Sequence, residues 1–423
     1  MNNTFRMVGS LSIGKETESF KPYREDEYES GWVRKILNFN IRSGNNIFYL
    51  QTAGGCFKNR KDKGLIYVTS AGKNVNGKFV KGENFTIPFE ERMKSPKLKD
   101  VAEFNKFVID LEKPDYRKNL LKAIECLKEG KELKDIGKFT GKRINYLEEF
   151  KDKELKELED MLAKSNNKRF EYISEWDFID TLKGLIDTGK INDKKFYVTG
   201  DIVFTYSENK NTFYKNYVPR KIYLSDEEDM AEATVDFFFG EDALDESLLL
   251  NEGKYQINGY TFFYDNQRKK KLPAPYTLTI YAAKSDNEIE KKKEEVQVKR
   301  FRFSEESYGV YNYGVVVKLL NGAQTEEITE DDLTEEQKDS ILIGELTLED
   351  IKKELGVVYG ERVTENVFFK PARGFSSGRQ ETDYSLSDLD ITTLLEDENV
   401  FEEETEDNVE IEDEDESLFD DIL

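Results

Sequence analysis

Three stretches of this chain interleave cations with aromatic rings. That combination suits a flexible polyanion carrying planar bases, because phosphates need charge and bases need flat faces on which to stack. Phe57 to Lys81 contains Lys58, Arg60, Lys61, Lys63, Lys73, Lys78 and Lys81 against a single acid, Asp62, with Phe57, Tyr67 and Phe79 among them. Lys210 to Tyr223 sets Phe213, Tyr214, Tyr217 and Tyr223 beside Lys210, Lys215, Arg220 and Lys221, with no acid between. In Tyr260 to Lys271, Phe262, Phe263 and Tyr264 precede Arg268, Lys269, Lys270 and Lys271. A basic strand with Trp32, Arg34 and Lys35 adds a fourth surface of the same kind. Each stretch also has a plainer reading, a solvated turn or a strand whose rings belong to the core.

Catalytic chemistry finds little to work with. The sequence has no His, which removes Ser-His-Asp and Cys-His nucleophile systems and any His-ligated metal. Its two cysteines, Cys56 and Cys126, stand alone and make neither a zinc site nor a disulfide framework. The acidic runs Asp226 to Asp229 and Glu330 to Asp332 lack a spaced partner at the end of an apolar strand, as paired carboxylates on Mg²⁺ would require. No Gly-x-x-x-x-Gly-Lys-Ser/Thr phosphate loop occurs. The expectation is a non-enzymatic protein with no catalytic residue, no metal and no cofactor.

The formal charge of −24 looks hostile to nucleic acid, but it is unevenly spread. Residues 381–423 hold 20 of the 87 Asp and Glu and no Lys or Arg, so residues 1–380 set 67 acids against 63 bases. The acidic segment is too polar to bury a core and is expected to be disordered. It closes on Leu418, Phe419, Asp420, Asp421, Ile422 and Leu423, where four large apolar side chains flank two acids. Such a segment suits a basic-rimmed apolar pocket on a partner, and its leash of acids mimics a polyphosphate that can compete for a cationic groove.

These residues resemble single-stranded DNA-binding proteins of the bacterial and phage type. Asp420-Asp421-Ile422 matches the bacterial family's Asp-Asp-Ile tip, although Leu423 follows where Pro-Phe is usual and Phe419 precedes the acids. The resemblance implies an OB-fold that coats single-stranded DNA in replication, recombination and repair. It also implies a tail that recruits replication and recombination proteins through Leu418 to Leu423. A phage structural or scaffolding protein, or a DNA-mimic decoy, is the alternative.

Short alternating segments must position these residues. Phe5 to Ile13, Trp32 to Ile41, Asn46 to Leu50, Leu65 to Thr69 and Asn84 to Ile87 read as strands. Residues 98–190 change to helical spacing, from Ala102, Phe104, Phe107 and Val108 through to a last helix with Trp176, Ile179, Leu182, Leu185 and Ile186 that stops near Gly189. Strands resume at Lys194, where Phe196 to Phe204 echoes Phe5 to Ile13, each with a central glycine, as in the bent first strand of an OB barrel. Further strands are expected at Val296 to Phe303 and Tyr308 to Leu320.

The expected fold is mainly β with a helical insertion (α+β): one or two small OB-like barrels plus a disordered acidic tail. The expected units are an N-terminal OB-like β-domain (1–97), a helical insertion (98–190), a second β-rich domain (191–300), an α+β extension (301–380) and the tail (381–423). No signal peptide is visible, and no apolar run approaches the ~20 residues that span a bilayer. The expectation is a cytoplasmic protein, in the host cytoplasm if phage-encoded, with no membrane partner.

Overall fold

The computed structural model describes residues 3–394, apart from 19, 58–63, 76–77, 131–149, 151, 267, 284–286, 304–308, 326–333, 343–346, 348–358, 377 and 392–393. The N-terminal strands are β1 (Thr4–Ser12), β2 (Tyr23–Glu27), β3 (Trp32–Ser43) and β4 (Asn46–Phe57). Two hairpins follow, from β5 (Leu65–Thr69), β6 (Lys73–Val75), β7 (Lys78–Val80) and β8 (Asn84–Pro88). Then come β9 (Phe107–Asp110), α1 (Pro114–Lys128), α2 (Leu155–Asn166), β10 (Arg169–Tyr172) and α3 (Glu175–Asp187). The chain continues through β11 (Lys195–Ser207), β12 (Thr212–Ser225), β13 (Met230–Phe239), β14 (Leu244–Asp245), α4 (Leu249–Glu252), β15 (Lys254–Asp265) and β16 (Lys270–Tyr281). It closes with α5 (Glu288–Lys299), β17 (Tyr311–Thr325), α6 (Glu335–Leu342), β18 (Tyr359–Pro371) and β19 (Gln380–Glu381).

Fifteen of these strands form one sheet, and β5–β8 and β6–β7 are separate two-stranded hairpins. The small OB-like barrels expected from the sequence are therefore corrected to a single large sheet. Period-2 alternation gives each strand an inner face but does not say which strand lies beside it. Here the neighbours are distant in sequence. β1 pairs with β11 from Thr4↔Asp201 to Ser10↔Lys195, so the two glycine-containing strands that echo each other lie side by side, with Phe5 opposite Gly200 and Gly9 opposite Phe196.

Two glycines stitch the sheet together. The other edge of β1 pairs with β13 over Thr4–Val8 and with β3 over Ser10–Ser12. The switch falls at Gly9, where an added Cβ would lie 2.0 Å from the carbonyl oxygen of Arg42, so only a bare backbone fits. β17 pairs with β13 and β18, and meets β4 where Gly322 faces Asn46; a Cβ on Gly322 would lie 2.2 Å from the carbonyl oxygen of Asn45. The pairings run from β1 through β11, β12, β4 and β3 back to β1, with β12 and β4 parallel. A second circuit runs from β13 through β15, β16, β18 and β17 back to β13, with β16 and β18 parallel.

The core is aromatic. Phe5, Phe39, Phe48, Phe196, Phe237, Phe301 and Tyr313 are almost fully buried, each ring contributing roughly 1.5–3 kcal/mol of transfer free energy. α3 starts at Ser174, whose hydroxyl accepts the Trp176 N–H at 3.2 Å, and it is followed by Gly189 at φ +67°. It buries Ile179, Leu182 and Leu185 against the sheet, as expected from their spacing, together with Phe178, while Trp176 and Ile186 are only partly buried.

Two local expectations fail. Phe107 and Val108 lie on β9, a fully buried strand between β12 and β10, where the three-residue apolar run Phe107 to Ile109 does not distinguish helix from strand. Val296 to Lys299 ends helix α5, whose Glu- and Lys-rich sequence favours helix and whose Asn287 cap accepts the Ile289 N–H at 2.9 Å.

A candidate nucleic-acid interface on β2, β3, β4 and the hairpins

Strand β3 sends Val33, Leu37, Phe39 and Ile41 inward, so Trp32, Arg34, Asn38, Asn40 and Arg42 stand on its other face. Their partners on β4 share that face: Phe57 opposite Trp32, Gly55 opposite Arg34, Gln51 opposite Asn38, Tyr49 opposite Asn40. The Trp32 and Phe57 rings meet edge-to-face at 4.8 Å. The indole lies over β4 because position 55 is glycine; a Cβ there would sit 2.3 Å from the Trp32 ring. Gln51 donates to Asn38 Oδ1 at 2.9 Å, and β2 brings Arg24 alongside Ile36, ion-paired to Asp26 at 3.4 Å. At the far end Tyr49 is 61% exposed beside the exposed Arg42. The face is thus lined with Arg24, Arg34 and Arg42 and carries rings at both ends.

The two hairpins come next in the described chain, beside the start of α3, where Phe89 meets the Trp176 ring at 6.3 Å and Arg92 pairs with Asp177 at 2.6 Å. In β5, Ile66 and Val68 point into a small cluster with Phe85, Ile87, Leu98, Val101 and Ile173, which turns Tyr67 outward to 78% exposure. On β6–β7, Phe79 is 72% exposed, with its ring against the bare backbone of Gly72. Lys73, Lys78 and Lys81 are exposed and make no ion pair among the described residues. Lys58, Arg60, Lys61 and Lys63 lie outside the described residues.

Other expected contacts are engaged elsewhere. Lys35 points to the opposite side of β3, is 6% exposed, bonds both Asp180 carboxylate oxygens at 2.6 and 2.7 Å and sits 3.8 Å above the Trp176 ring. It fastens α3 to the sheet. Tyr217 is a core ring between Phe5 and Phe48, and Lys215 is exposed with its ammonium 5.5 Å from that ring. Arg220 pairs with Asp201 and covers Phe107 at 5.3 Å. Tyr214 and Lys221 are half-buried on β12. In the third stretch Arg268 pairs with Asp265 at 2.9 Å and with Glu208, and Lys270 donates to the Leu394 carbonyl at 2.7 Å. Lys269 is exposed at a turn with φ +54°. These substitutions of role share one cause: sequence spacing shows that a cation is present but not the carboxylate or ring that the fold places against it.

The acidic segment also departs from expectation at its start. Tyr384 stacks on Phe262 at 4.8 Å and meets Phe238 edge-on at 5.8 Å, while Leu389 is 3% exposed. Asp388 accepts from the Ser385 N–H and hydroxyl at 2.7 Å each, contacts that hold its carboxyl below the usual value. Residues 395–423, including Leu418, Phe419, Asp420, Asp421, Ile422 and Leu423, lie outside the described residues. Sequence reading missed Arg24, Arg42 and Tyr49, because each stands alone in an ordinary alternating strand.

Among the described residues no group of three or more Cys, Asp or Glu is placed to hold a metal ion, Cys56 and Cys126 are buried free thiols, and no helix is long and apolar enough to cross a membrane. No protein-family model matches the sequence, and no curated protein matches it. Among solved structures, the chain is similar to a deletion mutant of the single-stranded DNA binding protein from Thermus aquaticus, at 7% identity and a TM-score of 0.23, over 79% of this chain and 97% of that one.

Proposed function

We propose that this chain binds single-stranded DNA without catalysing a reaction, coating it during replication or recombination. The strand runs across the β2–β3–β4 face and onto the two hairpins. The observation that carries the reading is the conjunction on the hairpins of exposed Tyr67 and Phe79 with Lys73, Lys78 and Lys81, none of which has an internal ion pair among the described residues. Rings left in water bury apolar area when bases stack on them, and unpaired lysines bring charge to phosphates without first breaking a bond. Trp32, Phe57, Arg34, Arg42 and Tyr49 extend the same chemistry along β3 and β4. Lys215, Lys221, Tyr214 and Lys269 lie on other surfaces and at most add to the field.

In this reading the acidic segment beyond Leu394 recruits replication and recombination proteins through Leu418 to Leu423, and its charge competes with DNA. The test is a fluorescence-anisotropy titration of a labelled oligo(dT), with Tyr67→Ala and Phe79→Ala beside the parent. Stacked bases contribute about 1–3 kcal/mol each, so each substitution should weaken binding roughly fivefold or more with unchanged thermal stability. Equal affinities for parent and both variants would remove the hairpins from the interface.

A further inference from the structure

Helix α5 presents a second kind of surface. Ile289, Lys292, Lys293 and Val296 recur at helical spacing along one face, which opens onto the end of β18. Between them lies a groove of about 680 Å³. Its apolar elements are solvent-exposed: Ile289 at 78%, Val296 at 44% and Phe369 at 37%. Lys292, Lys293, Arg300 and Lys370 line it against one acid, Glu288. The ammonium groups of Lys318 and Lys370 each lie 5.0 Å from the Phe369 ring, placing positive charge directly on the apolar floor. The groove is a basic rim around an apolar floor, and it suits a short peptide with bulky apolar side chains flanking acids.

The chain carries such a peptide. We propose that residues 418–423 of the same chain, Leu-Phe-Asp-Asp-Ile-Leu, dock in this groove, with Phe419 and Ile422 against Ile289, Val296 and Phe369 and with Asp420 and Asp421 facing Lys292, Lys293 and Lys370. Charge complementarity selects this occupant, and so does reach. The carbonyl of Leu394 is held by Lys270 at the start of β16. Thr279, nine residues further along β16, pairs with Val367 of β18, so the groove lies about 30–40 Å from Leu394 at ~3.3 Å per residue. The 24 residues 395–418 can reach at most about 80 Å, so the chain is long enough to cover the distance. Docking would hold the recruiting segment on its own chain until a partner with a better pocket takes it. The proposal does not depend on DNA binding, and its test contains no DNA.

The experiment uses the full chain with Phe419→p-benzoylphenylalanine, irradiated as a mixture of isotope-labelled and unlabelled protein and mapped by mass spectrometry. The expected adducts join position 419 to α5 or residues 368–371 within one chain. Lys292→Glu/Lys293→Glu should cut their yield about tenfold, as should high salt, because both partners are charged and solvent-exposed. Both lysines are exposed, so the folded state is kept, and circular dichroism checks this. Adducts elsewhere on the chain, adducts only between labelled and unlabelled copies, or a yield indifferent to the charge reversal would each overturn the proposal.

Discussion

Replacing Lys73, Lys78 and Lys81 together by Ala perturbs the interface while touching nothing else described in the fold. The three ammonium groups are exposed and make no ion pair among the described residues, so their removal leaves no buried charge and no broken bond. Thermal stability should stay within about 0.5 kcal/mol of the parent, as for ordinary surface substitutions. Binding behaves differently. Each phosphate neutralised on a single strand contributes about −0.7 to the slope of log K against log salt, so three lysines on three phosphates contribute about −2. Between about 50 mM and about 200 mM salt, log salt changes by ~0.6, and the parent should lose roughly 15-fold more affinity than the triple variant. Anisotropy titrations of a labelled oligo(dT) at four or more salt concentrations measure both slopes. A variant slope equal to the parent's would show that these lysines face water and not phosphate. A drop in melting temperature with an unchanged slope would make them structural.

Three further outcomes separate structural cations from binding ones. Lys35→Ala removes the bonds to Asp180 and the contact over Trp176, so it should destabilise the fold by roughly 1–3 kcal/mol by chemical denaturation and leave the salt slope of binding unchanged. Asp110 is fully buried between Arg117 and Arg169; Asp110→Ala leaves the buried Arg117 guanidinium without a counter-charge, while Arg169 keeps its pair with Glu171, and should cost about 3–5 kcal/mol, read as a lower denaturant midpoint. Burial works to raise the Glu171 carboxyl, but Arg169 and Lys106 prevail and hold it below the usual carboxylate value. A depressed pKa gives stability that is present above the ordinary Glu range and is lost as pH falls through the folded value, so Glu171→Gln should flatten the acid limb of a melting-temperature profile between about pH 5 and pH 3.

Much of the local structure was legible in the sequence, and much of the assembly was not. The strands at Phe5, Trp32 and Lys194 and the helix carrying Trp176 to Ile186 are announced by residue period, which acts within a few residues. Pairing of Phe5 with Gly200, or of Gly322 with Asn46, joins residues 195 and 276 positions apart, and no local pattern encodes it. The candidate site divides the same way. Tyr67, Phe79, Lys73, Lys78 and Lys81 stand out in sequence and remain exposed in the fold. Lys35, Arg220, Arg268 and Lys270 look identical in sequence, yet Asp180, Asp201, Glu208 and the Leu394 carbonyl engage them from other elements. Tyr49 and Arg42 gain meaning only once β3 and β4 are set in register.

The central claim is that this chain holds single-stranded DNA on exposed rings and lysines. Its most direct measurement is the affinity of the full chain for a labelled oligo(dT) at about 50 mM and about 200 mM salt, repeated with the chain ending after Leu394. Saturable binding at low salt should weaken at least tenfold at the higher salt, and the shortened chain should bind more tightly at both. Absence of binding at low salt by both forms would contradict the claim.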